Sequence, residues 1–256
     1  MAPHQNSNKD AVQQFFTENA TDYSSLFLPK RSGSNFGFLS RLNLASQMTA
    51  NISGRLLDCA CGSGEITAAI LGSKRFTGAT IVDLSPKMLE IAQQRINDNL
   101  KLPNVSSLEF IQSDIFAFDA QTRAGQYDLI LCLGLIAHTG RIDELLSKLK
   151  TLLSPRGKIL LQSSLLDHAG NRLVRWLTQE RYRRRHGYRI SYFRHKDIEH
   201  AAERAGLAIG DARRFTFGFP FGDRLSARIN YHLEKAMNQW SRARGAEALY
   251  LLETRP

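Results

Sequence analysis

The chain has 256 residues, 43% of them hydrophobic, which is ordinary for a globular protein and enough for one α/β domain with a full core and appended helices. No apolar run is long enough to cross a bilayer; the longest, residues 129–137, fits a buried strand and its exit loop. The net charge of +10 is unevenly placed: Arg172, Arg175, Arg181, Arg183, Arg184, Arg185, Arg189 and Arg194 are relieved only by Glu180, and Arg213, Arg214, Arg224, Arg228, Arg242 and Arg244 follow. Such clusters suit nucleic acid, anionic lipid or an acidic substrate, or they form a solvated helix face.

The first residues are polar and lack an apolar h-region, so no secretory signal is expected and residues 1–9 read as a mobile leader. The remainder, 10–256, reads as one domain. Residues 10–28 are predicted helical, with Phe15, Phe16 and Tyr23 spaced for one face. A Ser- and Gly-rich break over 29–37 precedes a second amphipathic helix over 36–50, with Phe38, Leu39, Leu42 and Ala45 on one side. Residues 10–50 would form a cap ahead of the first strand, 55–59.

That strand leads into Asp58-Cys59-Ala60-Cys61-Gly62-Ser63-Gly64, a small-residue turn followed by a helix-compatible segment. Glycine has no Cβ, so a ligand can approach bare backbone there, and the helix start offers unpaired N–H groups. Dinucleotide-binding domains use a related loop. Here the third glycine of that pattern is missing, because Thr67 stands where it would fall.

A second strand over 79–83 ends at Asp83. Ser85 and Pro86 open a helix as N-cap and first-turn proline, with Met88, Leu89, Ile91 and Ala92 on its buried side. Strands over 107–112 and 127–133 follow, the latter continuously apolar as a strand covered on both faces should be. A helix over 142–153, stopped by Ser154-Pro155-Arg156-Gly157, leads to a fifth strand over 158–162. Beyond it lie an Arg-rich helix over 167–186, a helix over 196–205 ended by Gly206, strands over 207–217 and 248–253, and between them a helix over 223–240. The alternation predicts a doubly wound, mostly parallel seven-stranded sheet with right-handed crossovers, N-terminal helices and a helical insertion near the C-terminus. Residues 164–205 and 218–245 read as substrate-side helical insertions. Cys59, Cys61 and Cys132 form no zinc-like pattern with histidines and read as small buried residues of a reducing, cytoplasmic protein.

The stretch from Asp58 to Gly64, with Ala60 in place of the usual first glycine, resembles the first motif of the class I S-adenosylmethionine-dependent methyltransferases. Ile81 to Leu89 resembles their pattern after the second strand. In an open α/β sheet the ligand sits beyond the carboxyl ends of the strands, where Asp58, Asp83 and Asp114 fall. The resemblance implies that Asp83 and its neighbours Leu84 and Met88 hold the ribose side of S-adenosylmethionine. It implies that Ser113, Asp114 and Ile115 meet the adenine, and that Leu133 and Gly134 line the methionine part. Asp58, Ala60, Cys61, Gly62 and Gly64 would act through the loop. The match is specific over residues 10–165 and generic afterwards.

Residues 15–23 resemble the N-terminal helix of the ubiquinone-type, small-molecule branch of that family, where an aromatic residue often lies over methionine and substrate; Tyr23 is the candidate, or else it simply packs. His138, soon after the fourth strand, is the candidate general base, with a rising pH limb expected near 6–7 for an unperturbed imidazole. Its alternative role is packing or capping the next helix. His168 is a second candidate.

The fourth strand exits through Cys132-Leu133-Gly134-Leu135, without the Asn/Asp-Pro-Pro-aromatic motif common in enzymes that methylate nucleic-acid bases. A small-molecule acceptor is therefore expected, O-methylated rather than N-methylated. Phe215, Phe217, Phe219 and Phe221 could build an apolar pocket for it, or pack in the core. The Arg-rich residues 181–194 would cover the acceptor and could bind its carboxylate or phosphate. RNA-directed methylation on the basic face, a non-catalytic cofactor-binding role and peripheral membrane contact are the other readings.

Overall fold

The computed structural model describes residues 3–25, 36–73, 75–99, 105–217, 227–237 and 244–255. The expected break over 29–35, Phe219, Phe221, Arg224, Arg242 and both ends of the helix expected over 223–240 lie outside the described residues.

Seven strands form one sheet: β1 (Gly54–Asp58), β2 (Phe76–Asp83), β3 (Ser107–Gln112), β4 (Tyr127–Cys132), β5 (Leu153–Ser164), β6 (Leu207–Phe215) and β7 (Glu247–Thr254). Their order is β3-β2-β1-β4-β5-β7-β6. β1 pairs in parallel with both β2 and β4, while β7 runs antiparallel between β5 and β6. The chain winds outward from β1 to β3, then returns to β4 on the other side of β1. The reversal in strand order therefore lies between β1 and β4, and it opens the crevice where ligands of such sheets bind.

Consecutive strand residues point to opposite faces. Leu57, Ile130 and Leu161 enter one buried cluster; Leu56, Leu129, Leu131 and Leu160 enter the other. Helices cover both faces, which is why the central strands are apolar at every position. The first cluster is capped by α7 (Ile142–Leu152) and α9 (His195–Arg204), the second by α3 (Phe36–Met48), α4 (Glu65–Leu71) and α5 (Pro86–Asn99). The remaining helices are α1 (Pro3–Glu18), α2 (Ala20–Ser25), α6 (Leu135–Thr139), α8 (Ala169–His186) and α10 (Ala227–Ala236).

Several boundaries move from their expected places. Helix α1 begins at Pro3, inside the expected leader, and breaks at Asn19, whose side-chain amide donates to the Phe15 carbonyl at 2.8 Å. That local bond competes with helix continuation. β5 starts before the expected stop signal, because Leu153 pairs with Tyr127 ahead of a register shift. The shift accommodates Pro155. β6 ends at Phe215, where Thr216 takes a positive φ of 58°. The short α6 was not expected; it is one turn between Gly134 and Gly140, both in left-handed conformation. No helix among the described residues is long and apolar enough to cross a membrane.

Candidate active site

A cavity of about 730 Å³ opens at the β1/β4 switch, within the roughly 300–1,000 Å³ range of small-molecule sites. Its floor is built by the ends of four strands. Ala60 and Gly62 come from the β1 loop, Asp83, Leu84 and Ser85 from the end of β2, and Met88 from the start of α5. Ser113, Asp114 and Ile115 come from β3, and Leu133 and Gly134 from β4. A Cβ built at Gly134 would meet no atom within 4 Å, so the bare backbone faces open space there. At Gly62 the nearest atom would be Cε1 of Tyr23, at 3.9 Å.

Asp83 ties the floor together. Its Oδ2 accepts from the Gly62 N–H at 2.8 Å and its Oδ1 from the Ser85 N–H at 2.8 Å. Burial nevertheless pushes its carboxyl up to about 6 against these hydrogen bonds. Two carboxylate oxygens carry about four lone-pair sites, so the ionised group can still accept from a ligand diol. Asp114 accepts from the Phe116 N–H at 3.0 Å and lies 3.4 Å from the Lys9 ammonium.

Asp58, Cys61 and Gly64 are brought to the loop but not to the cavity wall. Asp58 is buried beneath the turn, accepting from the Thr67 hydroxyl and, at 3.3 Å, from the Ala60 N–H; burial pushes it up to about 7. It shapes the loop from below. The Cys61 thiol lies 3.9 Å from Asp83 Oδ2, and burial raises its pKa well above the ordinary thiol value. That holds the thiol in its neutral, less nucleophilic form. Gly64 caps α4 at φ 79°, and a Cβ there would stand 2.9 Å from the Ala92 Cβ of α5.

The roof comes from α1 and α2. Lys9, Val12, Gln13 and Phe16 line the cavity, and Tyr23 leans over the glycine loop. The Thr17 hydroxyl meets the Ser85 hydroxyl at 3.0 Å, joining roof to floor. Beside it is an aromatic compartment. The Phe16 ring packs edge-on against Tyr23 at 5.7 Å and His138 at 5.0 Å, and His138 against Tyr188 at 5.7 Å. These walls desolvate His138 and push its imidazole down to about 4. Burial likewise raises the phenol pKa of Tyr23.

His168 is not part of the cavity wall. It caps α8, its Nδ1 accepting from the Asn171 N–H at 3.4 Å, and its ring packs on Phe217. Phe215 is in the core, 4% exposed, and not in a substrate pocket. Of the expected Arg cover, Arg183 and Arg189 reach the cavity, whereas Arg181, Arg184 and Arg185 point outward.

Sequence reasoning missed Arg41, Phe16, Arg141 and Tyr188. Arg41 lines the cavity and donates to Gln162 Oε1 at 3.3 Å; Gln162 in turn donates to Glu247 at 3.2 Å. Its signal was a cation three residues after Phe38, on the apolar side of α3, where a charge needs a partner. Arg141 lies over the Phe116 ring, 3.8 Å from its centroid. Phe16 was placed on the right helix face but not assigned to the site. Nothing local marks Tyr188, which a loop far along the chain carries in.

The profile of the methyltransferase domain family matches residues 10–211. The malonyl-[acyl-carrier protein] O-methyltransferase of Halalkalibacterium halodurans is 33% identical over 111 residues, 42% of this chain and 38% of that protein. The ubiquinone biosynthesis O-methyltransferase of Acinetobacter baumannii is 24% identical over 124 residues, 48% of this chain and 49% of that protein. The chain thus spans less than half the length of these curated relatives. Among solved structures, the magnesium protoporphyrin IX methyltransferase of Synechocystis PCC 6803 with bound SAH superposes with a TM-score of 0.66 at 16% identity, covering 97% of this chain and 100% of that one. The chain belongs to the methyltransferase domain family, and its fold is that of the class I S-adenosylmethionine-dependent methyltransferases.

Proposed function

We propose that the chain moves a methyl group from S-adenosylmethionine to an oxygen of a small, ring-bearing acceptor that carries an acidic group. One observation carries this reading. Asp83, Asp114 and Gly134, from three strand ends, line a single cavity that continues into the compartment of Phe16, Tyr23, His138 and Tyr188. The residues lining the cavity suit the cofactor. Asp83 would accept from the ribose diol, and Ser113, Asp114 and Ile115 would border the adenine. Gly62 and Gly134 leave open space that would take the amino-acid end, and Arg41 would attract its carboxylate.

The bound sulfonium supplies an electrophilic methyl group. The protein's contribution is to hold the acceptor oxygen in line and dry, and such positioning is worth roughly 7–11 kcal/mol. Phe16 and Tyr188 exclude water and offer faces to a planar acceptor. Arg183 and Arg189 stand at the rim, sharing Glu180 as counter-ion, and meet the acceptor's carboxylate or phosphate. His138, neutral at pH 7, accepts the hydroxyl proton. Its depressed pKa makes it a weaker base than an unperturbed imidazole, so positioning carries most of the rate.

Incubation with methyl-labelled cofactor and a metabolite extract tests the reading. The expected product is a labelled methyl ether of an aromatic acid or aromatic phosphate. Replacing both Arg183 and Arg189 with Gln should raise the acceptor KM and leave cofactor affinity unchanged. Tight S-adenosylhomocysteine binding with no labelled product from any extract would overturn the enzymatic reading.

A further inference from the structure

Helix α8 carries an outward face that methyl transfer does not use. Leu173, Trp176 and Leu177, at i, i+3 and i+4, are 45%, 80% and 48% exposed. They form one apolar patch on a helix that buries no residue fully. Arg172, Arg181, Arg184 and Arg185 are exposed beside it. The one acid of this face, Glu180, is already shared by Arg183, Arg184 and Arg189. A face kept only for solvent has no use for an 80%-exposed tryptophan flanked by two leucines.

We propose that α8 is a docking helix that lies in the headgroup region of an anionic bilayer. Leu173, Trp176 and Leu177 would enter the acyl boundary while the arginines meet lipid phosphates. This is the pattern of interfacial helices: apolar and aromatic side chains bordered by cations. Tryptophan suits that depth, with an apolar body and a polar N–H. The charge is complementary, since four exposed arginines face outward against one compensated glutamate. A nucleic-acid surface would use the arginines but would leave the two leucines without partners. The helix also runs to the cavity rim: Arg183 near its C-terminus and Gly187, Tyr188 and Arg189 beyond it all line the cavity. Docking through α8 therefore brings that rim to the headgroups.

Vesicle co-sedimentation of the full chain tests this, with S-adenosylhomocysteine calorimetry on the same samples. The chain should pellet with phosphatidylglycerol-rich vesicles at low ionic strength and stay in solution with pure phosphatidylcholine. The triple variant Leu173→Ser, Trp176→Ser, Leu177→Ser should lower the bound fraction by about tenfold or more. Arg181→Gln, Arg184→Gln, Arg185→Gln should do the same and flatten the salt dependence. All six positions are exposed, so cofactor binding should be unchanged in both variants. No pelleting with anionic vesicles overturns the proposal, as does pelleting that the serine variant leaves intact, or tighter binding to single-stranded RNA than to vesicles. A chain that docks but binds no S-adenosylhomocysteine would retain the docking helix and overturn the cofactor reading instead.

Discussion

Asp83 and His138 face the same cavity, and burial moves their pKa values past each other: the carboxyl up to about 6, the imidazole down to about 4. Below pH 6 Asp83 is increasingly protonated and loses acceptor capacity toward a diol; above it the carboxylate is available. Cofactor kcat/KM, which reports the free enzyme, should therefore rise with pH through about 6. His138 is already neutral above about 4, so it should add no limb between pH 5 and 8. In His138→Ala the limb near 6 should survive while turnover falls by roughly 10²-fold, the low end of lost general-base catalysis. Asp83→Ala should abolish that limb and weaken cofactor binding by at least about tenfold, about what one charge-assisted hydrogen bond supplies. A limb at 6–7 that vanishes in His138→Ala would mean a solvated imidazole and a different base arrangement. The sequence placed Asp83 at the end of β2 and His138 soon after β4, and the structure puts His138 in the unexpected α6. The sequence did not foretell the shift at His138, because the desolvating walls come from Phe16 and Tyr188, on elements far away along the chain.

The elements that position the site are two strand-to-helix turns, each with a left-handed glycine as helix cap: Gly64 before α4 and Gly134 before α6. They should respond differently to a methyl group. Both would carry the left-handed penalty of roughly 1–2 kcal/mol. At Gly64 the added Cβ would also meet the Ala92 Cβ at 2.9 Å and its Cα at 3.0 Å, adding overpacking of about 1–3 kcal/mol. Gly64→Ala should accordingly lower unfolding stability by several kcal/mol in a denaturant titration. Gly134→Ala should cost only the backbone penalty but raise the cofactor Kd, since its Cβ would enter the cavity. Equal stability of the two variants would show that α5 yields to Gly64 freely. The Gly64 turn was legible because glycine spacing after an apolar strand is a local signal; Gly134 was assigned to the site, but the helix it caps was not expected. The break at Asn19 and the early start of β5 were not legible, since one depends on a side-chain bond to Phe15 and the other on a register shift against Tyr127.

At the scale of the whole molecule, alternating strands and helices gave the doubly wound sheet directly, through runs such as Leu56-Leu57 and Leu160-Leu161 that feed both buried clusters. How the cavity is closed was less legible, because a roof is made by tertiary contact. Helix α1 supplies Lys9, Val12, Gln13 and Phe16 to the cavity, yet none of the side chains described along it is fully buried. A segment with so little buried surface has low local stability and opens more readily than the sheet. A ligand touching both floor and roof should tighten it. S-adenosylhomocysteine at about 100 times its Kd contributes about 2.7 kcal/mol. For a chain of this size that corresponds to a rise in Tm on the order of 5–10 °C. Amide exchange should slow most in α1 and α2, where Tyr23 leans over the Gly62 loop, and little in the central strands, which are protected without ligand. If the ligand raises Tm while exchange in α1 and α2 stays unchanged, the N-terminal helices do not close over the cofactor, and the acceptor compartment bounded by Phe16 would need another wall.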